Sequence, residues 1–271
     1  MSKPAWSWQF EPNELRNVAA LGLPGPITKE WAWGDSTGAG VKVAVVDSGI
    51  EAGHPAVGEV AGGVALEYDP DTEGEVTVIE GSHEDLFGHG TACAGIIRKA
   101  APDVQLYSVR VLGSKLSGKG VVFAAGLRWA VDNGMQVVNL SLSTGKSEYF
   151  GTFHEIADEA YFRNVMLVSA VNNVPKPSFP SLYSSVFSVA AHDGTDPFGF
   201  EYNPAPPVEF GAPGIDLEVP WLDGSSIVAT GNSFAAPHIA GLIARILGRH
   251  PGLTPFQVKT ILCAVADNAA Y

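Results

Sequence analysis

Apolar stretches of two lengths alternate along the chain. Five short runs rich in β-branched residues are predicted strands: 41–46, 104–112, 136–142, 165–171 and 186–191. Five longer stretches with apolar residues at helical spacing are predicted helices: 91–99, 121–133, 153–164, 233–247 and 254–268. Strands that are apolar throughout and separated by helices are typical of a parallel sheet with helices on both faces, so the pattern predicts an α/β fold. Ligands bind such sheets at the carboxyl ends of the strands, and residues that follow each strand are therefore the functional candidates.

The composition predicts one large globular domain over residues 1–271. Of the 271 residues, 46% are hydrophobic and 17% are charged. The formal net charge of −13 disfavours nucleic acid and anionic membranes as partners. No apolar run approaches the roughly 18 residues of a membrane span, and the N-terminus lacks the apolar core of a secretion signal. We therefore expect a cytoplasmic protein.

Four polar residues stand where predicted strands end or helices begin. Asp47 ends the first strand in a D-S-G turn, and His89 lies between two glycines at a helix start. Asn172 follows the fourth strand, and Ser233 opens an apolar helix. Taken singly, each has an ordinary explanation: a turn carboxylate, a loop histidine, a turn amide and a helix-capping hydroxyl. Together they would supply the orienting acid, base, oxyanion donor and nucleophile of acyl transfer.

Three motifs carry a resemblance to a known family. They are D-S-G-I-x-x-x-H-P from Asp47, G-H-G-T-x-C-A-G-I around His89 and G-N-S-F-A-A-P-H-I-A-G around Ser233. Their chain order, aspartate then histidine then serine, is that of subtilisin. From about residue 31 to about residue 265 the chain resembles the subtilisin-like serine proteases, or subtilases. The resemblance implies one peptidase domain with a three-layer subtilisin-like fold, in which a doubly wound, mostly parallel sheet has helices on both faces. Against the family's pattern, residues 1–36 would form an N-terminal arm and helix, and no separate prodomain is evident.

The resemblance also implies a serine endopeptidase that acts on a peptide or protein. Ser233 would attack the scissile carbonyl, His89 would accept and return the proton, and Asp47 would orient the imidazole. The side-chain amide of Asn172 and the backbone N–H of Ser233 would bind the oxyanion. Compact loops favour a restricted substrate, such as a leader peptide or one regulatory protein. A separate inhibitor or propeptide is a candidate partner.

Substrate contacts can be carried over from the family by alignment. The peptide is expected to add as a strand between two backbone edges. These edges are Ser117, Gly118 and Lys119 on one side and Ser141, Leu142 and Ser143 on the other. The specificity pocket would be walled by 141–143 and by Ser169, Ala170 and Val171, with Ser178 near its floor. Lys115 and Lys119 beside the upper edge either favour acidic substrate residues or simply solvate the loop.

Several positions depart from the family's pattern. Ser143, Val171 and Ser178 stand where bacterial subtilisins usually have glycine, so we expect a shallow pocket that favours small residues before the cut. Asn232 stands where the family usually has threonine, and this polar, turn-compatible residue is expected to keep the geometry. Pro237 is expected in the first helical turn, where a missing N–H does little harm.

No cofactor and no metal ligands are expected. In extracellular subtilisins a calcium-binding loop interrupts the helix that carries the catalytic histidine, whereas residues 98–103 run directly into the next strand here. The resemblance therefore implies that the family's strongest calcium site is missing. The acidic segment 67–75 is either a weak calcium site or a solvated loop. The following segment, 76–85, is predicted to form a hairpin beside the cleft. Cys93 and Cys263 are expected to be free thiols in helices.

Two other functions stay open at this point. A macrocyclase or ligase of the same fold would resolve the acyl-enzyme with an amine, but the chain has no insertion large enough for the helices that such relatives carry over the cleft. A non-catalytic peptide-binding homologue would have no need for all four candidate residues. An α/β-hydrolase is excluded, because only about 38 residues follow Ser233 and that family places its acid and histidine after the serine.

Overall fold

A nine-stranded sheet lies at the centre of the molecule. The structure, a computed structural model, describes residues 26–69, 75–81, 84–205 and 207–269. The sheet contains β1 (Lys42–Asp47), β2 (Gly62–Tyr68), β3 (Val76–Glu80), β4 (Gln105–Arg110), β5 (Val137–Leu140), β6 (Met166–Ala170), β7 (Phe187–His192), β8 (Glu201–Tyr202) and β9 (Phe210–Pro213). Its strand order is β3-β2-β4-β1-β5-β6-β7-β9-β8. The pairs β2–β3 and β8–β9 at the two edges are antiparallel and the others are parallel.

Helices cover both faces of this sheet, as the sequence pattern predicts. They are α1 (Lys29–Ala32), α2 (His89–Ala100), α3 (Gly120–Asp132), α4 (Phe150–Phe162), α5 (Asn232–Arg249) and α6 (Pro255–Val265). Along β1 the side chains alternate between the faces. Val43 and Val45 join the core formed with α2, α5 and α6, whereas Ala44 and Val46 join the core formed with α3 and α4. This alternation follows from the two-residue period of a strand, and it makes every residue of the strand apolar.

The strand register brings the carboxyl ends of the central strands to one edge. Val46 pairs with Leu140 of β5, and Leu140 pairs with Ser169 of β6. Asp47, the last residue of β1, therefore lies near the segments that follow β5 and β6. A separate two-stranded hairpin, β10 (Leu217–Trp221) with β11 (Ser225–Ala229), packs on α2 and leads into α5.

Two local predictions are corrected by the structure. Segment 76–85 does not form a hairpin by itself, because its strand β3 pairs antiparallel with β2, the strand before it in the chain. Pro237 is not in the first turn of its helix, because α5 begins at Asn232 and Pro237 is its sixth residue. Of the predicted N-terminal arm, residues 1–25 lie outside the described residues, and 29–32 form the short helix α1.

Candidate active site

Asp47 and His89 form a buried pair at the edge where β1 ends. His89 Nδ1 lies 2.9 Å from both Oδ1 and Oδ2 of Asp47. Asp47 is fully buried, and its Oδ1 also accepts a hydrogen bond from the Ser48 backbone N–H at 2.8 Å. A buried carboxylate needs such partners, and here the imidazole is one of them. Because Nδ1–H donates to Asp47, the other ring nitrogen, Nε2, is left to act as a base.

The tight turn before α2 places His89 as the first residue of the helix. Gly88 has a φ of 109°, in the left-handed region that side chains rarely adopt. A Cβ on Gly88 would also lie 2.6 Å from the Trp221 ring, so only glycine allows this approach. The first glycine of the G-H-G motif, Gly88, is therefore required by the backbone turn before His89 and by the contact with Trp221.

The pKa of His89 is raised above its ordinary value of 6.5. Burial alone would lower the pKa of this imidazole, since it disfavours the charged form. The attraction of the Asp47 carboxylate and its hydrogen bond outweigh burial, and the more distant Asp85 adds to the rise. The pair therefore stabilises an imidazolium, which is what a base that holds a proton in mid-reaction requires.

Ser233 is the second residue of α5 and is fixed through its backbone carbonyl. Pro237 has no N–H to donate to the carbonyl of the residue four positions earlier, which is Ser233. That carbonyl instead accepts a hydrogen bond from Ser141 Oγ at 2.7 Å, and Ser141 Oγ accepts from Asn139 Nδ2 at 2.9 Å. The proline thus frees an acceptor that ties the serine to the end of β5.

Cys93 lies between the two halves of this site. Its Sγ is 4.0 Å from Asp47 Oδ2 and 3.7 Å from the Ser233 carbonyl oxygen. The rings of His89 and Phe234, the residue after Ser233, are 5.3 Å apart between centroids. These contacts link Asp47 and His89 to the segment that carries Ser233.

Two adjacent asparagines follow β6, and their side-chain oxygens accept hydrogen bonds from different segments of the chain. Asn172 Oδ1 accepts from the Val174 backbone N–H at 3.1 Å, so this side chain caps a local turn. Asn173 Oδ1 accepts from the Asn232 backbone N–H at 2.9 Å. The Asn173 carboxamide also lies close to Gly231, the residue before Asn232. The two asparagines thus have different partners, Asn172 within its own turn and Asn173 at the start of α5, and each keeps its Nδ2 as the donor end.

A cleft of about 350 Å³ opens beside His89 and contains both predicted substrate edges. Its lining includes Ser117, Gly118, Lys119, Ser141, Leu142 and Ser143. The ammonium of Lys119 lies 3.2 Å from the centroid of the Tyr68 ring, so this charge is already engaged. This contact favours a packing role for Lys119 over a role in recognising acidic substrate residues.

The predicted pocket residues lie deeper than the edges. Ser169 and Ala170 are buried in β6, and Ser169 has no exposed surface. Ser178 is 1% exposed, and its Oγ lies 2.8 Å from that of Ser181. The N–H of Val171 donates to the Val189 carbonyl, which joins this wall to β7.

Comparison with known proteins decides the family. The model of the subtilase family matches residues 38–271. This chain belongs to the subtilase family. Subtilisin DY of Bacillus licheniformis is 31% identical over 246 residues, which are 85% of this chain and 85% of that protein. The thermostable alkaline protease of Halalkalibacterium halodurans is 32% identical over 233 residues, which cover 82% of this chain and 61% of that protein.

A solved structure supports the same assignment. The crystal structure of a cold adapted subtilisin-like serine proteinase matches with a TM-score of 0.67 and 26% sequence identity, covering 86% of each chain. The expected three-layer α/β fold is therefore confirmed. The chain is a serine endopeptidase that acts on peptide or protein substrates.

Within the described residues of this subtilase, the metal-ligating side chains that cluster are Asp47, His89 and Cys93. Burial and the charge of Asp47 raise the pKa of the Cys93 thiol well above its ordinary value, so this sulfur is not a ready thiolate ligand. Both cysteines are free thiols. Residues 70–74 of the acidic segment lie outside the described residues. None of the helices described is both long and apolar enough to cross a membrane.

Proposed function

We propose that Asp47, His89 and Ser233 are the catalytic triad of this subtilase, and that it cleaves a restricted set of peptides after small residues. The observation that carries the triad is the buried Asp47–His89 pair, which lies at the wall of the cleft and on the other side of Cys93 from Ser233. The Asp47 hydrogen bond fixes the imidazole tautomer that leaves Nε2 free to take a proton.

The reaction then follows from these roles. Ser233 Oγ forms a bond to the scissile carbonyl carbon while its proton passes to His89 Nε2. The imidazolium returns that proton to the amine as the C–N bond breaks, which leaves an acyl-enzyme on Ser233. Water attacks the acyl carbon with His89 again as base, and the serine proton is restored. Asp47 stays ionised and stabilises the imidazolium in each half of the cycle.

For the oxyanion we propose Asn172 as the side-chain donor. The Asn172 carboxamide is held by its oxygen at the Val174 N–H, which leaves its Nδ2 as the end that can donate. The neighbouring Asn173 is instead held by its oxygen at the Asn232 N–H. The Ser233 backbone N–H, near the N-terminus of α5, is the second donor in this proposal.

The preference for small residues rests on the floor of the pocket. The backbones of Thr144 and Phe179 exchange two hydrogen bonds, of 2.9 and 2.8 Å, which join the two segments below the cleft. Ser178 lies beside this bridge with its hydroxyl against Ser181. A side chain at position 178 fills space that glycine would leave open, and large aromatic residues should bind poorly for that reason.

Active-site labelling tests the proposal. A fluorophosphonate probe should label the wild type and fail to label Ser233→Ala, while Ser226→Ala, which changes a serine on β11, should label fully. Hydrolysis of a peptide amide with alanine before the cut should follow the labelling. A folded wild type that neither reacts nor hydrolyses would favour a peptide-binding role. Labelling with products joined to an added amine would favour a ligase.

A second pair of variants tests the oxyanion donor. Asn172→Ala should lower kcat about 10²–10³-fold with little change in KM, the loss usual for removing one such donor. Asn173→Ala, its matched neighbour, should lower kcat less, since it loses the contact with the Asn232 backbone and not the donor. The reverse ranking would make Asn173 the donor.

A further inference from the structure

Asp85 is a buried carboxylate just before α2, outside the proposed triad, and both of its oxygens accept hydrogen bonds. The residue is 7% exposed. Its Oδ1 accepts from the Ser48 hydroxyl and from the backbone N–H groups of Phe87 and Gly88, at 2.8–2.9 Å. Its Oδ2 accepts from the backbone N–H and the hydroxyl of Thr91, at 2.8 and 2.6 Å. Five donors therefore converge on one side chain.

The two hydroxyls in this group have their hydrogens directed at Asp85, because each hydroxyl oxygen accepts a backbone N–H. Ser48 Oγ accepts from the Gly90 N–H at 3.1 Å, and Thr91 Oγ1 accepts from the Glu51 N–H at 2.9 Å. The single hydrogen of each hydroxyl is left for the carboxylate. All five partners are thus donors, which suits a carboxylate. A carboxamide would face some of them with its own NH₂ group.

These hydrogen bonds join the two segments that carry the Asp47–His89 pair. Ser48 follows Asp47 directly, and its backbone N–H donates to Asp47 Oδ1 at 2.8 Å. The cap position of α2 is Gly88, which has no side chain to accept from the first turn of the helix. Asp85 supplies that cap from outside the helix and holds Ser48 with the same carboxylate. A negative charge is also favoured at this end of a helix.

The charge of Asp85 acts on the imidazole as well. Burial lowers the pKa of His89, the Asp47 carboxylate and its hydrogen bond raise it, and Asp85 adds to the rise. Among the described residues, the Cys93 thiol lies within 4.8 Å of the paired groups, and α5 presents the ring of Phe234 to the imidazole. Three further carboxylates line one cavity together with Asp85, and these are Glu51, Glu84 and Asp223.

We propose that Asp85 is a positioning residue of this peptidase, which holds the turn after Asp47 and the first turn of α2 in one arrangement. The Asp47–His89 contact is thereby kept while the imidazole carries a proton, and the charge of Asp85 favours that protonated state. The proposal rests on the function proposed above. Asp85 is not a catalytic residue, because its hydrogen bonds go to the turn and the helix start. It acts through Asp47 and His89.

The variant Asp85→Asn tests the proposal through both rate and pH profile. It should lower kcat about 10–100-fold and change KM less than about threefold, because misplaced groups cost transition-state stabilisation. The rise of kcat/KM with pH should also move to lower pH, since a charge that favours the imidazolium is lost. Asp267→Asn is the matched control. Asp267 also accepts a backbone N–H, that of Phe200 at 3.0 Å, but lies just after α6, and its loss should change neither quantity.

A double-mutant cycle separates positioning from a general loss of stability. In the Asp47→Asn background, Asp85→Asn should lower kcat less than about threefold, since the contact that it maintains is already lost. Equal losses of kcat in both backgrounds, a loss that appears mainly in KM, or an unchanged pH profile in folded Asp85→Asn would overturn the role.

Thermal unfolding shows whether each variant is folded. If Asp85→Asn does not fold, Thr91→Val removes one of the five donors and keeps the charge. It should then lower kcat about threefold or more and leave the pH of the rise unchanged, and an unchanged kcat would overturn the proposal.

Titration of His89 by NMR in the Ser233→Ala protein tests the same inference without any activity. Asp85→Asn should lower the pKa of the imidazole there, and an unchanged pKa would overturn this inference alone. Absence of Ser233-dependent hydrolysis in the folded wild type would instead overturn the proposed function.

Discussion

His89 Nδ1 lies equally close to the two carboxylate oxygens of Asp47, at 2.9 Å from each. The contact joins the last residue of a buried strand to the first residue of a helix, and both groups are almost wholly shielded from water. Burial lowers the pKa of the imidazole, and the carboxylate more than restores it. The pH dependence of catalysis should therefore report on this contact directly.

Replacing Asp47 should change both the rate and the pH profile. In Asp47→Asn, the amide cannot stabilise the imidazolium or enforce the tautomer, and kcat should fall by about 10³–10⁴. The base works only when His89 is neutral, so kcat/KM of the wild type should rise with pH through a pKa above 6.5. Without the carboxylate that raises this pKa, the rise should move to lower pH.

The measurement is kcat/KM between pH 5 and pH 9 for wild type and variant. Asp132→Asn, an exposed residue paired with Arg163, is the control and should leave the profile unchanged. If the pH at which kcat/KM rises to half of its maximum is the same in Asp47→Asn as in the wild type, a group other than the Asp47–His89 pair controls the rise.

The sequence predicts the candidate triad residues but not how the two asparagines after β6 are held. Asp47, His89 and Ser233 each follow a strand or start a helix, and register brings such positions together without further information. Asn172 and Asn173 follow the same strand, and turn chemistry suits both. In the structure, Asn173 bonds the backbone N–H of Asn232, contributed by a helix some 60 residues later, and no local pattern carries that contact.

Three of the strands that the sequence analysis does not predict have a similar explanation. The strand β8 has only two residues and lies at the sheet edge, and β10 and β11 pair with each other outside the main sheet. Their apolar residues do not form the continuous runs that identify central parallel strands. Pro237 was misplaced because helix starts are read from caps, and Gly231 provides no side-chain cap.

Acid should destabilise the fold through His238. Burial lowers the pKa of this imidazole to about 4, against an ordinary 6.5. Below pH 6.5 the His238 imidazole binds a proton in the unfolded chain but stays neutral in the folded chain. The contribution of this group to the unfolding free energy is therefore fully present above pH 6.5 and is lost as the pH drops towards 4. Between pH 7 and pH 4.5 this group alone should cost about 2 kcal/mol of unfolding free energy.

Urea unfolding of the Ser233→Ala protein, which cannot digest itself, measures this loss. His238→Gln should lose about 2 kcal/mol less than its parent between the two pH values. His154→Gln, at an exposed histidine of α4, should lose as much as the parent. Equal losses for His238→Gln and its parent would show that this imidazole is protonated in the fold.

Removing side chains from the pocket should broaden specificity. Ser143→Gly with Ser178→Gly should raise kcat/KM for phenylalanine before the cut, relative to alanine, by about 10-fold, because methylene-sized changes in a pocket are worth about 10–200-fold. Ser184→Gly, exposed in the same loop as Ser178, is the control and should leave the ratio unchanged. An unchanged ratio in the double variant would place the selective wall elsewhere.

The last prediction concerns what holds together the segments at the end of α2. This helix continues unbroken to Ala100 and reaches β4 through residues 101–104. The Arg98 guanidinium donates to four backbone carbonyls, those of Val57, Glu59, Pro102 and Val104, at 2.7–3.0 Å. A cation surrounded by carbonyl oxygens is also how protein loops hold calcium. We therefore expect Arg98, and not an ion, to hold these segments together.

Thermal unfolding in the Ser233→Ala background separates the two possibilities. EDTA and calcium should give the same Tm, while Arg98→Met should lower it by about 6–12 °C, the equivalent of about 3 kcal/mol for four carbonyls left without a charged donor. Arg163→Met, which breaks only exposed ion pairs with Asp132 and Glu159, should cost less than about 1 kcal/mol. A Tm that rises by many degrees in calcium would point instead to the acidic segment 67–75. In that case Arg98→Met in calcium would show how much the guanidinium adds.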